Sequence, residues 1–129
     1  MENETPEIQD DEIVIGTEES EVLGPSMVTI EAEKVEMVGK NNNKKAVLIC
    51  KHPNRELPIE ISSVKYEGKG GKLKITGLWL NLDNQGKLKK DSALATLLKS
   101  SGVINLKLMV GRQVETVLDE EGYLCFKAY

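Results

Sequence analysis

Apolar and polar residues alternate along most of the chain after residue 26, and this alternation predicts β-strands. The segment Met27–Val38 alternates with one change of parity near Glu33-Lys34, although its composition also allows a helix. The run KAVLICK (45–51) is apolar on both faces, as a central strand would be, and the run LPIEI (57–61) carries a proline typical of an edge or a strand start. We therefore predict a hairpin from these two runs.

The apolar parity also changes inside the run KLKITGLWLNL (72–82), where Leu73 and Ile75 lie at odd positions but the later leucines lie at even ones. One inserted residue explains such a change, so we predict a bulge at Thr76-Gly77 with the glycine at positive φ. The apolar residues then face one core: Leu73, Ile75, Leu78, Leu80 and Leu82. The opposite face carries Lys72, Lys74, Thr76, Trp79 and Asn81.

One amphipathic helix is predicted near residues 91–102. Asp91 or Ser92 caps its start, apolar residues recur at helical spacing, and Gly102 closes it. Two turns of the Asp-x-x-Gly kind are predicted at 83–86 and 119–122, and the second joins strands at 112–118 and 123–129.

Charge divides the chain into two parts. Residues 1–22 contain nine acidic residues and no lysine or arginine, whereas residues 23–129 hold 17 basic and 12 acidic residues, a net charge of +5. Residues 40–90 alone hold twelve basic and four acidic residues. We predict an acidic disordered tail at 1–22 and one folded domain at 23–129, because the acidic segment offers too little apolar surface to offset the entropy of ordering. The apolar cluster Ile13-Val14-Ile15 interrupts the tail.

The order of elements predicts a mainly β fold with one helix inserted before the last two strands. The stretches GLWLNLDNQGKLKKDSALATLLKSSG and LMVGRQVETVLDEEGYLCFKAY resemble OB-fold single-stranded-nucleic-acid-binding proteins of phages and mobile elements. The resemblance implies a small OB-like barrel, a five-stranded fold with its helix between the third and fourth strands. A strongly curled, half-open antiparallel sheet fits the pattern as well. Four strand-like runs precede the helix instead of three, so either KAVLICK and LPIEI form one interrupted strand or the barrel is decorated.

The resemblance and the basic charge together indicate a site for single-stranded nucleic acid, DNA rather than RNA, read largely without regard to sequence. Such sites combine a positively charged groove with aromatic faces on which bases stack. Trp79 supplies one aromatic face and Tyr66 a second, beside Asn81. The basic residues predicted to line the groove are Lys51, Arg55, Lys65, Lys69, Lys72, Lys74 and Arg112. The alternative for Trp79 is a core position, and the alternative for the lysines is an ordinary solvated face.

Catalysis and metal binding find no support in the sequence, so we expect neither an enzyme nor a cofactor. The run GKGGK lacks the Ser or Thr of a phosphate-binding loop, and the single histidine, His52, lies in a turn-like run. Cys50 and Cys125 are predicted to be buried free thiols, with a disulfide between them as the alternative. With no long apolar run and an acidic N-terminus, we expect a cytoplasmic monomer or homodimer without membrane contact. A protein–protein adaptor that uses the acidic tail to recruit its partner, without nucleic-acid binding, is the alternative function.

Overall fold

The structure, a computed structural model, describes residues 9–17 and 23–129. The described residues form seven strands and one α-helix. The strands are β1 (Met27–Val38), β2 (Asn43–Lys51), β3 (Ile59–Ile61), β4 (Ser63–Glu67), β5 (Leu73–Gly77), β6 (Gln113–Leu118) and β7 (Leu124–Ala128), and the helix α1 (Ala93–Ser100) lies between β5 and β6. Short 3₁₀ turns occur at Asp10–Glu12, Lys69–Gly71 and Leu106–Met109. The prediction of a mainly β fold with the helix before the last two strands is confirmed.

The strands form one sheet in the order β3-β2-β1-β6-β7-β4-β5. The pairing β4·β7 is parallel and the other pairings are antiparallel, so the sheet is mixed, whereas the half-open alternative described it as antiparallel. Within the described part of the chain, no ladder of hydrogen bonds joins the end strands β3 and β5. The chain nevertheless passes from β3 to β4 through the single residue Ser62, although these strands lie near opposite ends of the sheet order. The sheet must therefore curl strongly, as the half-open alternative predicted.

The core fills the inside of this curl, and α1 covers it. Buried core residues come from six of the strands, from the segment after β5 and from the helix: Val28, Ile30, Leu48, Ile61, Val64, Leu78, Leu94, Leu97, Val114 and Phe126 are among them. The helix starts where predicted, because the Ser92 side chain accepts a hydrogen bond from the Ala95 N–H (3.2 Å). It ends at Ser100, and Gly102, just after the C-cap residue Ser101, adopts positive φ and closes the helix as predicted.

The two Asp-x-x-Gly turns are confirmed and share one chemistry. Asp83 Oδ1 accepts hydrogen bonds from the N–H groups of Gln85 (2.8 Å) and Lys87 (3.0 Å). Asp119 Oδ1 does the same for Glu121 and Tyr123, both at 2.9 Å. The glycines that end these turns, Gly86 and Gly122, both have positive φ.

The two changes of parity have explanations other than those predicted. In β1 the register with β2 shifts between Ile30 and Ala32, so the irregular residue is Glu31 and not the predicted Glu33-Lys34 pair.

KAVLICK and LPIEI pair as the antiparallel strands β2 and β3, which excludes one interrupted strand.

Strand β5 contains no bulge. It pairs regularly with β4 up to Gly77, and the chain then changes partner and bridges to β2 at Lys45 and Trp79. Gly77 does not have positive φ, so the predicted glycine bulge was wrong. Leu78 is buried and Leu80 packs against the core, but Leu73, Ile75 and Leu82 are exposed, which corrects their predicted place in the core.

The folded body begins at about Gly24. The buried His52 ring lies between the Gly24 carbonyl oxygen (2.8 Å from Nε2) and the Asn54 N–H, which donates to Nδ1 (3.0 Å). Since Nδ1 accepts, Nε2 carries the proton and donates to Gly24, which attaches the start of the body to the end of β2. The predicted disorder of residues 1–22 falls largely on residues 1–8 and 18–22, which lie outside those described. Within the described ranges, no helix is long and apolar enough to cross a membrane.

Candidate nucleic-acid interface

The change of partner after Gly77 places Trp79 directly opposite Lys45. On the β4 side, the Leu78 N–H donates to the Ser62 carbonyl (2.9 Å). On the β2 side, the Ala46 N–H donates to the Leu78 carbonyl (2.8 Å), and the Leu80 N–H donates to the Lys44 carbonyl (2.9 Å). These last two bonds flank Trp79 and Lys45 as a non-hydrogen-bonded pair, in which facing side chains come closest. The Lys45 ammonium therefore lies 5.2 Å from the centre of the Trp79 ring, a cation–π contact.

Gly77 provides the space for this contact. A Cβ at Gly77 would lie 2.8 Å from Cε of Lys45 and 2.9 Å from Nε1 of Trp79. Contacts this short require movement, and the indole is rigid. The glycine is therefore required for the close approach of two side chains and not for its backbone conformation.

Trp79 is half-buried, and it lies in a groove that we call the Trp79 groove. The groove consists of three adjoining depressions of about 420, 300 and 440 Å³. The first two share Trp79 and Asn81, and the first and third share Tyr66 and Asp91. The groove thus runs from the start of β2, past Trp79 and the start of α1, to the Gly68–Lys69 turn.

Charged groups in the groove are mostly basic. Lys44 lies at one end, Lys89 near the middle, and Lys69 with Lys74 at the other end. Two acids, Glu67 and Asp91, also line it. Lysines placed along the length of a groove suit a phosphate backbone, while the amide of Asn81 offers both a donor and an acceptor to a base.

Half of the predicted binding residues lie in this groove: Tyr66, Lys69, Lys74, Trp79 and Asn81. Lys72 is exposed at the turn before β5, where its carbonyl accepts the Gly68 N–H (2.8 Å). The prediction that Trp79 is at least partly exposed is confirmed, as is the burial of Leu78 behind it.

The other predicted residues lie elsewhere in the fold. The Lys51 ammonium donates to the carbonyl groups of His52, Arg55 and Glu56, so it holds the β2–β3 loop together. Arg55 lines a depression beside Tyr123, and Lys65 lines another with Leu73, Ile75 and the turn at 119–121. Arg112 precedes β6, where its carbonyl accepts the Ile30 N–H (2.9 Å).

Sequence reasoning missed the residues that the β1–β2 hairpin brings to the groove. Asn43 and Lys44 line it, and Lys45 covers part of the indole. The run KNNNKK at 40–45 was the available signal, because lysines and asparagines concentrated in one turn are unusual among the strand patterns around it. Lys89 was missed as well, since no local pattern places it beside residues 66 and 79.

Neither cysteine takes part in the groove. Both are buried free thiols, as predicted. Burial, with a smaller contribution from the Glu31 carboxylate, raises the pKa of Cys50 to about 12. Burial also raises the pKa of Cys125, and the Asp119 carboxylate adds to the effect. Among the described residues no three His, Cys, Asp or Glu side chains cluster as a metal site would require.

Comparisons with models of protein families, with curated proteins and with solved structures give no significant match for this chain. The geometry of the groove and the charge of the folded body are therefore the observations that bear on the function of this chain.

Proposed function

We propose that the Trp79 groove binds single-stranded nucleic acid, largely independently of sequence. The observation that carries the proposal is a partly exposed tryptophan at the junction of two depressions whose charged side chains are mainly lysines. Stacking of one base on an aromatic face contributes about 1–3 kcal/mol and tolerates any base, because every base has a π-face. Lysines supply the accompanying attraction to phosphate, which is also independent of sequence.

The strand pairings support an OB-type assignment. If β3 and β4 are taken as one strand interrupted at Ser62, the pairings β1·β2, β2·β3, β1·β6, β6·β7 and β4·β7 connect five strands around the core. The helix α1 then falls between the third and the fourth of them, as in an OB fold, and β5 is an addition. OB folds bind oligonucleotides on the face of strands 2 and 3 and with the loops between strands 1 and 2 and between strands 4 and 5. The groove includes Asn43 and Lys44 at the start of the second strand and Tyr66 of the third, whereas the turn at 119–122 lies outside it.

Lys45 limits how a base can reach Trp79. Its ammonium lies over the indole, so a base stacks either on the remaining exposed surface or after displacing Lys45. A displaced Lys45 is free to pair with the phosphate of the same nucleotide, which replaces a cation–π contact by an ion pair. We favour DNA over RNA as the ligand, because the sequence resembles small single-stranded-DNA-binding proteins.

The experiment is a titration of a fluorescently labelled oligothymidine, followed by anisotropy at two salt concentrations. Trp79→Ala is expected to weaken binding by about 1–3 kcal/mol. The matched control is Tyr123→Ala, because Tyr123 is an exposed aromatic residue outside the groove. Equal effects of the two substitutions would remove Trp79 as the stacking face.

A second pair of variants tests the electrostatic part. Lys74→Ala is expected to reduce the slope of log affinity against log salt by about one phosphate contact. Lys107→Ala, an exposed lysine on the 3₁₀ turn before β6, is expected to leave the slope unchanged. Absence of any binding at low salt would refute the proposal. The adaptor function would then be favoured, since Ile13, Val14 and Ile15 are exposed and available to a protein partner.

A further inference from the structure

The acidic N-terminal region contains a short apolar segment whose side chains are largely exposed among the described residues. Ile13, Val14 and Ile15 expose 66, 83 and 100% of their surface, and the backbone at Ile13 is extended (φ −66°, ψ 122°). Three consecutive large apolar side chains at this exposure are costly in water, and a β-branched, extended segment is suited to pairing with a strand. We call residues Glu12–Gly16 the apolar segment.

The free edge of β5 offers such a strand. Among the described residues, β5 is the last strand in the sheet order and pairs only with β4. Gly68 N–H donates to Lys72, and Leu78 N–H donates to Ser62. Hydrogen-bonded positions alternate along an antiparallel pair, so the even-numbered residues 72–78 direct their N–H groups toward β4. The N–H and C=O groups of Leu73 and Ile75 consequently point to the open edge, where another strand can bond to them.

The side chains of the two strands match in both polarity and charge. Leu73 and Ile75 lie on one face of β5, where they are 47 and 37% exposed, and the two lysines 72 and 74 lie on the other. When the residues from Ile13 onward pair as an extended strand, Ile13 and Ile15 share one face and Val14 lies on the other. Glu12, the last residue of the 3₁₀ turn, joins the face of Val14 once it extends with them. A strand added at the edge therefore places isoleucines beside Leu73 and Ile75 and an acid beside the lysines.

We infer that the apolar segment of one copy of this chain adds to the edge of β5 in a second copy. A copy does not cover its own edge, because in the isolated chain both the segment and the Leu73–Ile75 face are exposed. Each copy carries one segment and one edge, so a reciprocal exchange closes as a symmetric dimer. This dimer does not depend on nucleic-acid binding.

Two neighbouring substitutions test the pairing in the full-length chain. Ile15→Glu places a carboxylate against Leu73 and Ile75, and it is expected to raise the dimer dissociation constant by at least about tenfold in sedimentation equilibrium. Val14→Glu introduces the same side chain on the lysine face and is expected to change that constant by less than about threefold. Non-specific association of the apolar segment would be weakened equally by both variants, and that result would overturn the inference.

The edge itself is tested by Ile75→Lys, with Ile104→Lys as the control at an exposed isoleucine outside β5. Only the first is expected to give monomers, and only the first should abolish the protection of the Leu73 and Ile75 amides in hydrogen exchange. A wild-type chain that remains monomeric up to high concentration overturns the inference. Protected amides in such a monomer would instead indicate that the segment docks on its own copy.

Discussion

Gly77, Lys45 and Trp79 form the contact on which the candidate site depends. Lys45 and Trp79 face each other across the bridge between β2 and the segment after β5, and the absent side chain at residue 77 leaves room for both. The lysine can bend away from an added atom, but the indole can only rotate as a unit. A small change at residue 77 should therefore alter the tryptophan more than the fold.

Gly77→Ala is expected to shift the emission spectrum of Trp79 and to reduce oligonucleotide affinity by about 1–2 kcal/mol, since the indole must leave its position beside Lys45. Gly24→Ala is the matched control, because a Cβ at Gly24 meets no atom within 4 Å. Emission spectra and binding that do not change in Gly77→Ala would show that the close contact has no functional role.

The buried thiol of Cys50 makes the stability of the folded protein depend on pH. Its pKa is raised in the folded state from 9.0 to about 12, chiefly by burial. Because of this raised pKa, the Cys50 thiol keeps its proton to higher pH in the folded state than in the unfolded state. Its contribution to the free energy of unfolding is therefore complete below pH 9 and is lost as the pH rises from 9 toward 12. Cys50 alone should contribute a slope of at most about 1.4 kcal/mol per pH unit to the free energy of unfolding in that interval.

The check is urea unfolding at a series of pH values for the wild type and for Cys50→Ala. The variant is expected to be less stable throughout but to show a shallower loss above pH 9. All other titratable groups are common to both proteins, so the difference between the two slopes isolates Cys50. Parallel slopes would contradict a buried, protonated thiol.

Two elements of the fold use the same turn in different settings. The Asp119 turn joins β6 and β7, which both lie inside the sheet. The Asp83 turn connects Leu82 and Leu88, which pair through one isolated β-bridge, and residues 81–87 are exposed. Equal local chemistry should therefore have unequal consequences for global stability, because the second segment can open without disturbing the core.

Asp119→Ala is expected to destabilise the protein by about 1–3 kcal/mol, as two hydrogen bonds to backbone N–H groups are lost. Asp83→Ala removes the same two bonds but should change the free energy of global unfolding by less than about 0.5 kcal/mol. Thermal unfolding followed by circular dichroism measures both. Equal losses in the two variants would show that the 83–87 turn unfolds together with the core.

At the scale of the whole molecule, an acidic segment of 22 residues is joined to a body with a net charge of +5. Such a segment is attracted to the same lysines that attract phosphate, and the attraction weakens as salt screens it. Deletion of residues 1–22 is therefore expected to tighten oligonucleotide binding several-fold at low salt and to have little effect near 1 M salt.

The control keeps the length of the acidic segment and replaces its nine acids by Gln or Asn, which removes the charge but retains the apolar residues Ile13, Val14 and Ile15. Both variants should bind more tightly than the wild type if charge alone is responsible. Weaker binding of the deleted form at low salt would mean that the segment contributes contacts instead of competing with the ligand.

Local chemistry determined much of this fold without reference to tertiary structure. The bounds of β1, the Ser92 cap, the positive φ of Gly102 and both Asp-x-x-Gly turns depend on neighbours within a few residues. The same holds for the order of the elements and for the charge division, which are properties of the sequence. The partial exposure of Trp79 was also predicted, from the parity of the residues around it.

Only the tertiary structure decided which strands pair and which lysines reach the tryptophan. A bulge and a change of partner strand produce the same shift in the alternation of apolar residues along the sequence. The sequence therefore could not show that the chain leaves β4 for β2 after Gly77. Lys45 and Trp79 are 34 positions apart, and their contact exists because the curled sheet brings the end of β5 to the start of β2. Lys51 was equally basic in sequence, but the fold uses its ammonium to hold a loop. Contacts of this kind depend on the closure of long loops around a shared core, and no local pattern records them.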